Sequence, residues 1–145
     1  IDREHGGYYG YVDEALAVDK QYDKGGIATA RLLWSFSAAF NTFQDIEYLE
    51  HATHAYNFLY TCIIDSEHGG LVWMVDYLGE VTDERKHVYA QSFGIYGLVE
   101  YYKASGDEGA YEKAMNLFDL IEEKVQREIL ELLNVVKEKN LKIII

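Results

Sequence analysis

Two kinds of apolar pattern alternate along the chain. Residues 27–43 and 86–104 are apolar on nearly every face of a helix, whereas residues 46–63 and 109–125 carry apolar side chains at i, i+3, i+4 and i+7 on one face. A helix that is apolar all round must be enclosed by other elements, and a one-sided helix keeps a face in water. The pattern therefore predicts an inner layer of two enclosed helices and an outer layer of two.

A Gly-Gly segment precedes each pair of helices. The sequence Glu-His-Gly-Gly stands at residues 4–7 and again at residues 67–70, and Asp13 and Asp76 keep the same separation of 63 residues. Alternating side chains after each glycine pair indicate a short β-ribbon. The chain is therefore predicted to be an all-α internal repeat of αα-hairpins, with repeat 1 over about 1–63 and repeat 2 over about 64–125.

Residues 126–145 break the repeat. Apolar side chains at Val125, Ile129, Leu132, Leu133 and Val136 predict one further amphipathic helix, with no third Gly-Gly loop before it. Two hairpins and one helix leave part of the inner layer uncovered, which is unfavourable. We therefore expect either self-association through the exposed inner helices or a longer protein of which this is one part.

Length, charge and cysteine content narrow the class of protein. The 145 residues suit a single domain, and a net charge of −12 argues against nucleic acid and anionic membranes as partners. No apolar run approaches the about 18 residues of a membrane-spanning helix. The single cysteine, Cys62, cannot form an intrachain disulfide, which indicates a cytoplasmic location.

Several spaced motifs between residues 2 and 124 resemble the N-acylglucosamine 2-epimerase superfamily, and most closely its cellobiose 2-epimerase branch. They are the stretches 4–10, 31–37 and 68–70, followed by Asp83, Lys86, Tyr89, Gln91, Phe93 and Glu100-Tyr101-Tyr102. The resemblance implies a toroid of (α/α)6 type with a sugar pocket at one mouth and no cofactor. This chain would supply two of its hairpins and one further helix.

The resemblance also implies a reaction. It is the reversible epimerisation at C2 of a reducing-end glucose or mannose unit, as in cellobiose or mannobiose, through a cis-enediolate. The proton transfers need groups that titrate near neutrality, hence histidine. The histidines that do this in the family lie on later inner helices, and no residue of this chain matches them. The alternative is a non-catalytic helical-repeat module that binds sugar or protein.

Four residues are candidates for binding the sugar. Arg31 matches the family's pocket arginine on the first inner helix, near O1, and Tyr89 matches the pocket tyrosine on the second. As structural residues, Arg31 would instead pair with a carboxylate such as Asp76 or Glu100, and Tyr89 would be a satisfied core tyrosine. Trp73 is a candidate to stack on sugar. His87 is a candidate pocket residue or a residue that merely starts a helix.

The other histidines favour structural roles. His5 and His68 precede the two glycine pairs at equivalent positions, which indicates bracing of the loops. His51 and His54 are three residues apart on a predicted outer helix, a spacing that a metal site can use. No third ligand accompanies them, so a solvated face and no metal site are predicted.

A hydrolase of the same architecture would need an inward pair of carboxylates. Asp13 and Asp76 are repeat-equivalent, which favours a role in turns, and Asp83 is interpreted as a helix N-cap. Trp34, in the middle of a helix, is interpreted as a core residue. The hydrolase hypothesis is therefore the weakest of the three.

Overall fold

A computed structural model describes residues 1–138 of the chain. Its four helices are α1 (Gly26–Phe43), α2 (Ile46–Phe58), α3 (Val88–Ser105) and α4 (Glu108–Glu138). A π-helical segment, Leu59–Ile63, continues α2. Five short strands are β1 (Tyr11–Val12), β2 (Val18–Asp19), β3 (Lys24–Gly25), β4 (Met74–Val75) and β5 (Val81–Asp83).

The helices form two αα-hairpins that stack side by side. Helix α1 packs on both α2 and α3, and α3 packs on α4, so α1 and α3 form one layer and α2 and α4 the other. The core lies between the layers, where Ala30 and Leu33 of α1 are fully buried with Ala52 and Ala55 of α2. The predicted layers and the predicted repeat are confirmed.

The turns between the two helices of each hairpin have the same geometry. Helices α1 and α3 end at left-handed residues, Gln44 and Gly106. The next residue, Asp45 or Asp107, accepts a hydrogen bond from the backbone N–H two residues later. Gln44 and Gly106 are 62 residues apart, and so are Asp45 and Asp107. The helices therefore repeat at 62 residues, one fewer than the Gly-Gly loops, and Asp45 and Asp107 end one helix sharply and begin the next.

The short strands form the predicted ribbons. Strands β1 and β2 pair as an antiparallel hairpin, with Tyr11 opposite Asp19. Strands β4 and β5 form the equivalent hairpin of repeat 2. Strand β3, which leads into α1, pairs with β4, so the second ribbon joins the two repeats in one three-stranded sheet.

Two predictions about the helices are wrong. The break expected after residue 125 is absent, because α4 runs unbroken to Glu138. Residues 122–130 contain neither glycine nor proline and are mostly good helix formers, so nothing in the sequence ends the helix there. The rest of the predicted tail, residues 139–145, lies outside the described residues.

The second wrong prediction concerns helix α3, which is not enclosed all round. Tyr89 is 60% exposed and Tyr96 is 57% exposed, both on the side of α3 away from α4. The apolar pattern predicted packing on nearly every side of this helix. In the described chain α1 and α4 pack on it, and the side that carries Tyr89 and Tyr96 is left open.

Alanine at Gly7 should destabilise the protein more than alanine at Gly106. Both glycines have positive φ, +66° and +73°, which costs an L-residue about 1–2 kcal/mol. At Gly7 a Cβ would lie 2.7 Å from Cγ of Phe58, whereas nothing lies within 4 Å at Gly106. Overpacking adds about 1–3 kcal/mol, so Gly7→Ala should lose about 2–5 kcal/mol in urea unfolding. Equal losses in the two variants would contradict close packing on Phe58.

Candidate functional site

Each Gly-Gly loop is held by an aspartate three residues before its histidine. In the first loop, Oδ1 of Asp2 accepts hydrogen bonds from the backbone N–H groups of Glu4 and His5 at 3.0 Å. The backbone N–H of Asp2 donates to the carbonyl of Gly7. Asp65 makes the equivalent contacts with Glu67, His68 and Gly70 in the second loop. The loops are braced as expected, but by the two aspartate side chains rather than by the rings of His5 and His68, which contribute their backbone N–H groups.

A buried lysine fixes the first loop. Nζ of Lys24 donates to Oδ2 of Asp2 at 2.8 Å, to the carbonyl of Gly6 at 2.8 Å and to the carbonyl of Tyr77 at 3.1 Å. Burial alone would raise the pKa of Asp2. The hydrogen bond from Lys24 and those from the backbone outweigh it, so the pKa is lowered. The loop is thereby tied both to its own repeat and to the ribbon of the next.

The second loop is fixed differently. Asp65 pairs with Lys86, and this hydrogen bond with those from the backbone holds the pKa of Asp65 well below its usual range. Gln91, buried on α3, accepts from the backbone N–H of Leu71 at 2.6 Å and donates to the carbonyl of Leu71 at 2.9 Å. This pair of bonds fixes the end of the loop to the start of α3.

Arg31 and Tyr89, both predicted to bind sugar, contact the same phenyl ring. The guanidinium carbon of Arg31 lies 5.8 Å from the ring centroid of Phe93, within cation–π range. The ring of Tyr89 meets that of Phe93 edge-on at 5.0 Å. Arg31 makes no ion pair within the described part of the chain, so its expected alternative partners, Asp76 and Glu100, do not hold it.

A second aromatic pair extends this surface. Trp34 of α1 stacks on Tyr96 of α3 at 5.2 Å, so Trp34 is a half-buried surface residue and its interpretation as core is wrong. These contacts bridge α1 and α3 on the side away from the outer helices. We call this surface, Arg31, Trp34, Tyr89, Phe93 and Tyr96, the inner face.

Trp73 and His87, the other two candidates, form a separate pair. Their rings meet edge-on at 4.8 Å, close to the point where α3 begins. His87 is the N-cap of α3 but makes no capping hydrogen bond with its side chain, so its exposed ring is not needed to start the helix. The backbone carbonyl of Trp73 accepts from Gly26, which places this pair beside the start of α1 as well.

His51 and His54 do not form the predicted solvated face. Nε2 of His54 lies 2.8 Å from the carbonyl of Gly7 and must donate to it, since a carbonyl can only accept. Nδ1 of His51 lies 2.9 Å from the hydroxyl of Tyr8. Both rings are half-buried against the first Gly-Gly loop, a contact that helical periodicity could not show because the loop lies some 45 residues earlier.

The aspartates are engaged in turns. Asp13 accepts from the backbone of Ala15 and Ala17, and Asp76 accepts from the backbone at the same two offsets, which confirms their predicted role. Asp83 is not a helix cap, because α3 begins five residues later. It pairs instead with Arg85, whose hydrogen bonds lower the pKa of Asp83 to about 2.

The described residues contain neither a metal-binding cluster nor a helix that could span a membrane. No group of three His, Cys, Asp or Glu side chains there is placed to hold a metal ion. None of the helices that the structure describes is long and apolar enough to cross a membrane.

Stacked αα-hairpins with Gly-Gly ribbons at the start of the inner helices define an arc of an α/α toroid. A solved α-mannanase of glycoside hydrolase family 76 from Bacteroides thetaiotaomicron shares this fold, with a TM-score of 0.66 at 21% identity over 79% of this chain and 30% of its own. The family model for N-acylglucosamine 2-epimerase (GlcNAc 2-epimerase) matches residues 7–142. The chain belongs to the N-acylglucosamine 2-epimerase family.

Two relatives of higher identity are both named cellobiose 2-epimerase. A cellobiose 2-epimerase of Ruminococcus albus is 46% identical over 121 residues, which are 83% of this chain and 31% of the relative. The solved cellobiose 2-epimerase of Bacillus thermoamylovorans has a TM-score of 0.82 at 52% identity, over 83% of this chain and 31% of that one. The chain therefore spans about a third of the length of the relatives it matches.

Sequence reasoning missed part of this surface. Phe93 stood among the motif residues but was assigned no role, although it contacts both Arg31 and Tyr89. The signal was its position four residues after Tyr89, which places the two rings on one face of a helix. Nothing in the sequence paired Trp34 with Tyr96, since they lie on different helices.

Asp2→Asn should lower the free energy of unfolding by about 3–5 kcal/mol at neutral pH, because Lys24 would keep a buried charge without a counter-ion. The folded-state pKa of Asp2 lies below its usual 3.8. Its contribution is therefore present above that usual value and is lost as the pH falls through the lower, folded-state pKa. In urea unfolding, the difference between wild type and variant should shrink as the pH is lowered.

The matched control is Asp83→Asn. Asp83 also has a lowered pKa and a cationic partner, but its partner Arg85 is exposed, and such pairs contribute little to stability. Equal losses in the two variants at neutral pH would contradict a special role for the buried pair.

Proposed function

We propose that the chain forms part of the sugar-binding wall of a sugar 2-epimerase. The reaction is the reversible C2 epimerisation of a reducing-end glucose or mannose unit, as in cellobiose. The observation that carries the proposal is the inner face, where Arg31 has an aromatic neighbour, Phe93, and no carboxylate partner among the described residues. The names of the relatives support the choice of reaction.

Arg31 suits the oxygen that becomes negative during the reaction. Removal of the C2 proton leaves an enediolate, and a fixed positive donor stabilises it more than the neutral sugar. The guanidinium offers five N–H donors and stays charged at any relevant pH. Tyr89 adds a hydroxyl group, and the rings of Trp34 and Tyr96 offer apolar surface to the sugar ring.

The acid and base of the reaction are assigned to histidines outside this chain. The chain has five histidines. Four of them lie in the Gly-Gly loops or on α2, away from the inner face: His5, His51, His54 and His68. The fifth, His87, lies edge-on against Trp73 and is proposed to line the sugar site rather than to move protons.

The other candidate function is a non-catalytic module that binds sugar. The same exposed aromatic rings support it, because aromatic surface binds a sugar ring whether or not a base is nearby. The two functions differ in whether the C2 proton exchanges once the rest of the site is supplied.

The chain by itself should not exchange the C2 proton of cellobiose or mannose. It lacks residues that match the family's acid and base, so the proton has no acceptor at C2. The measurement is NMR of either sugar in deuterated water with the purified chain, set against the same solution without protein. Exchange above that background would place a working base within this chain.

A chimera tests the proposed role of Arg31. The part of the Ruminococcus albus cellobiose 2-epimerase that matches this chain is replaced by this chain, and epimerisation of cellobiose is followed. The chimera should be active, and Arg31→Met should lower kcat roughly a hundredfold or more, the usual effect of losing one donor to a developing oxyanion.

Arg85→Met is the control, since Arg85 pairs with Asp83 away from the inner face. An unchanged kcat in Arg31→Met would contradict the proposed role. A folded chimera that binds cellobiose but never epimerises it would favour the non-catalytic module.

A further inference from the structure

Phe93 lies between the two polar residues of the inner face. The centroid of its ring is 5.8 Å from the guanidinium carbon of Arg31 and 5.0 Å from the ring centroid of Tyr89, and the two rings are nearly perpendicular at 81°. Arg31 belongs to α1, whereas Tyr89 and Phe93 belong to α3. One phenyl ring therefore connects a cation of the first repeat with a phenol of the second.

Helices α1 and α3 approach each other closely at this level. A Cβ at Gly97 would lie 2.7 Å from the carbonyl oxygen of Ala30, so only glycine lets the two helices come so near. Ala30 directly precedes Arg31, and Gly97 follows Phe93 by about one helical turn. The close approach brings the side chains of Arg31 and Phe93 within reach of each other.

The part of α3 that carries Phe93 is fixed on both sides. On one side the buried amide of Gln91 binds the backbone N–H and carbonyl of Leu71. On the other side Tyr96 stacks on Trp34 of α1, with 5.2 Å between the centroids and 12° between the ring planes. Phe93 is therefore attached to a segment whose place relative to α1 is defined by contacts before and after it.

Arg31 needs such a contact if it is to act on an oxyanion. Its long side chain has many rotamers, and a guanidinium that is not held samples many positions. A donor stabilises developing charge most when it is already in place before the reaction. The face of an aromatic ring attracts the cation, and so it restricts where the guanidinium lies.

We propose that Phe93 is a positioning residue of the sugar site, which holds the guanidinium of Arg31 and the ring of Tyr89 at a fixed separation. Its effect on the reaction rests on the proposed function, whereas the holding itself is a property of this chain. Leucine at this position would keep apolar volume and lose the aromatic face, so Arg31 would move more freely. Tyrosine would keep the face and is the conservative variant.

The first measurement is nitrogen NMR relaxation of the arginine Nε–H groups in the purified chain. The chain has four arginines, and Arg31→Met identifies the signal of Arg31 by its loss. Phe93→Leu should lower the order parameter of this Nε–H to below about 0.6, the range of flexible groups, and Phe93→Tyr should leave it near the wild-type value. An order parameter that Phe93→Leu leaves unchanged would overturn the proposal, whatever the reaction is.

Tyr102→Leu is the matched control. Tyr102 is another aromatic residue of α3, but it contacts Tyr111 and Glu108, away from the inner face. This variant should change neither the order parameter of Arg31 nor the kcat of the chimera described above. Circular dichroism establishes that each variant is folded.

The second measurement is a double-mutant cycle in the chimera with the Ruminococcus albus enzyme. Phe93→Leu should lower kcat roughly tenfold or more, since a small displacement of a positioned group has effects of this order. In a chimera that already carries Arg31→Met, the same change should lower kcat less than about twofold, because no guanidinium is left to hold. Phe93→Tyr should retain most of the activity.

The outcomes separate this inference from the proposed function. Equal losses from Phe93→Leu with and without Arg31 would indicate a purely structural role and overturn the inference, as would an unchanged kcat in a chimera that depends on Arg31. A chimera that binds cellobiose without epimerising it, or that is indifferent to Arg31→Met, contradicts the proposed function alone. The order parameter of Arg31 then still decides whether Phe93 holds it.

Discussion

The buried ammonium group of Lys24 is the interaction on which the arrangement of the two repeats depends. A charge in the interior must be paired and hydrogen-bonded, or it costs several kcal/mol. Lys24 has three donors and finds three acceptors: a carboxylate and a carbonyl of the first loop and a carbonyl of the second ribbon. Because these acceptors belong to both repeats, satisfying the lysine fixes where one repeat lies on the other.

The turn of each ribbon shows what such a contact demands of the sequence. Gly79 and Leu16 are equivalent, and both have positive φ, +98° and +63°. A Cβ at Gly79 would lie 2.6 Å from Sγ of Cys62, so only glycine fits where the second ribbon packs on the first repeat. Leu16 is 81% exposed, and its side chain meets no such neighbour. The difference between the repeats therefore reflects which ribbon is covered within this chain.

Much of this architecture could be predicted from the sequence, because it rests on local periodicity and on repetition. Two helix pairs, two Gly-Gly loops and the turn roles of Asp13 and Asp76 follow from spacing alone. Contacts between distant segments could not be found in that way. His54 donates to Gly7 across 47 residues, and no pattern on its own helix distinguishes that role from a solvated one. The inner face likewise depends on how α1 and α3 cross.

The neighbours of Arg31 support its proposed role as an arginine that faces a ligand. A carboxylate in the place of Phe93 would neutralise the guanidinium and occupy its donors. A phenyl ring attracts the same cation with its face and leaves the N–H groups available. In a protein with a net charge of −12, carboxylates are plentiful, yet among the described residues Arg31 lies against the phenyl ring of Phe93 and forms no ion pair. The proposed sugar binding by the inner face thus depends on what surrounds Arg31 as much as on Arg31 itself.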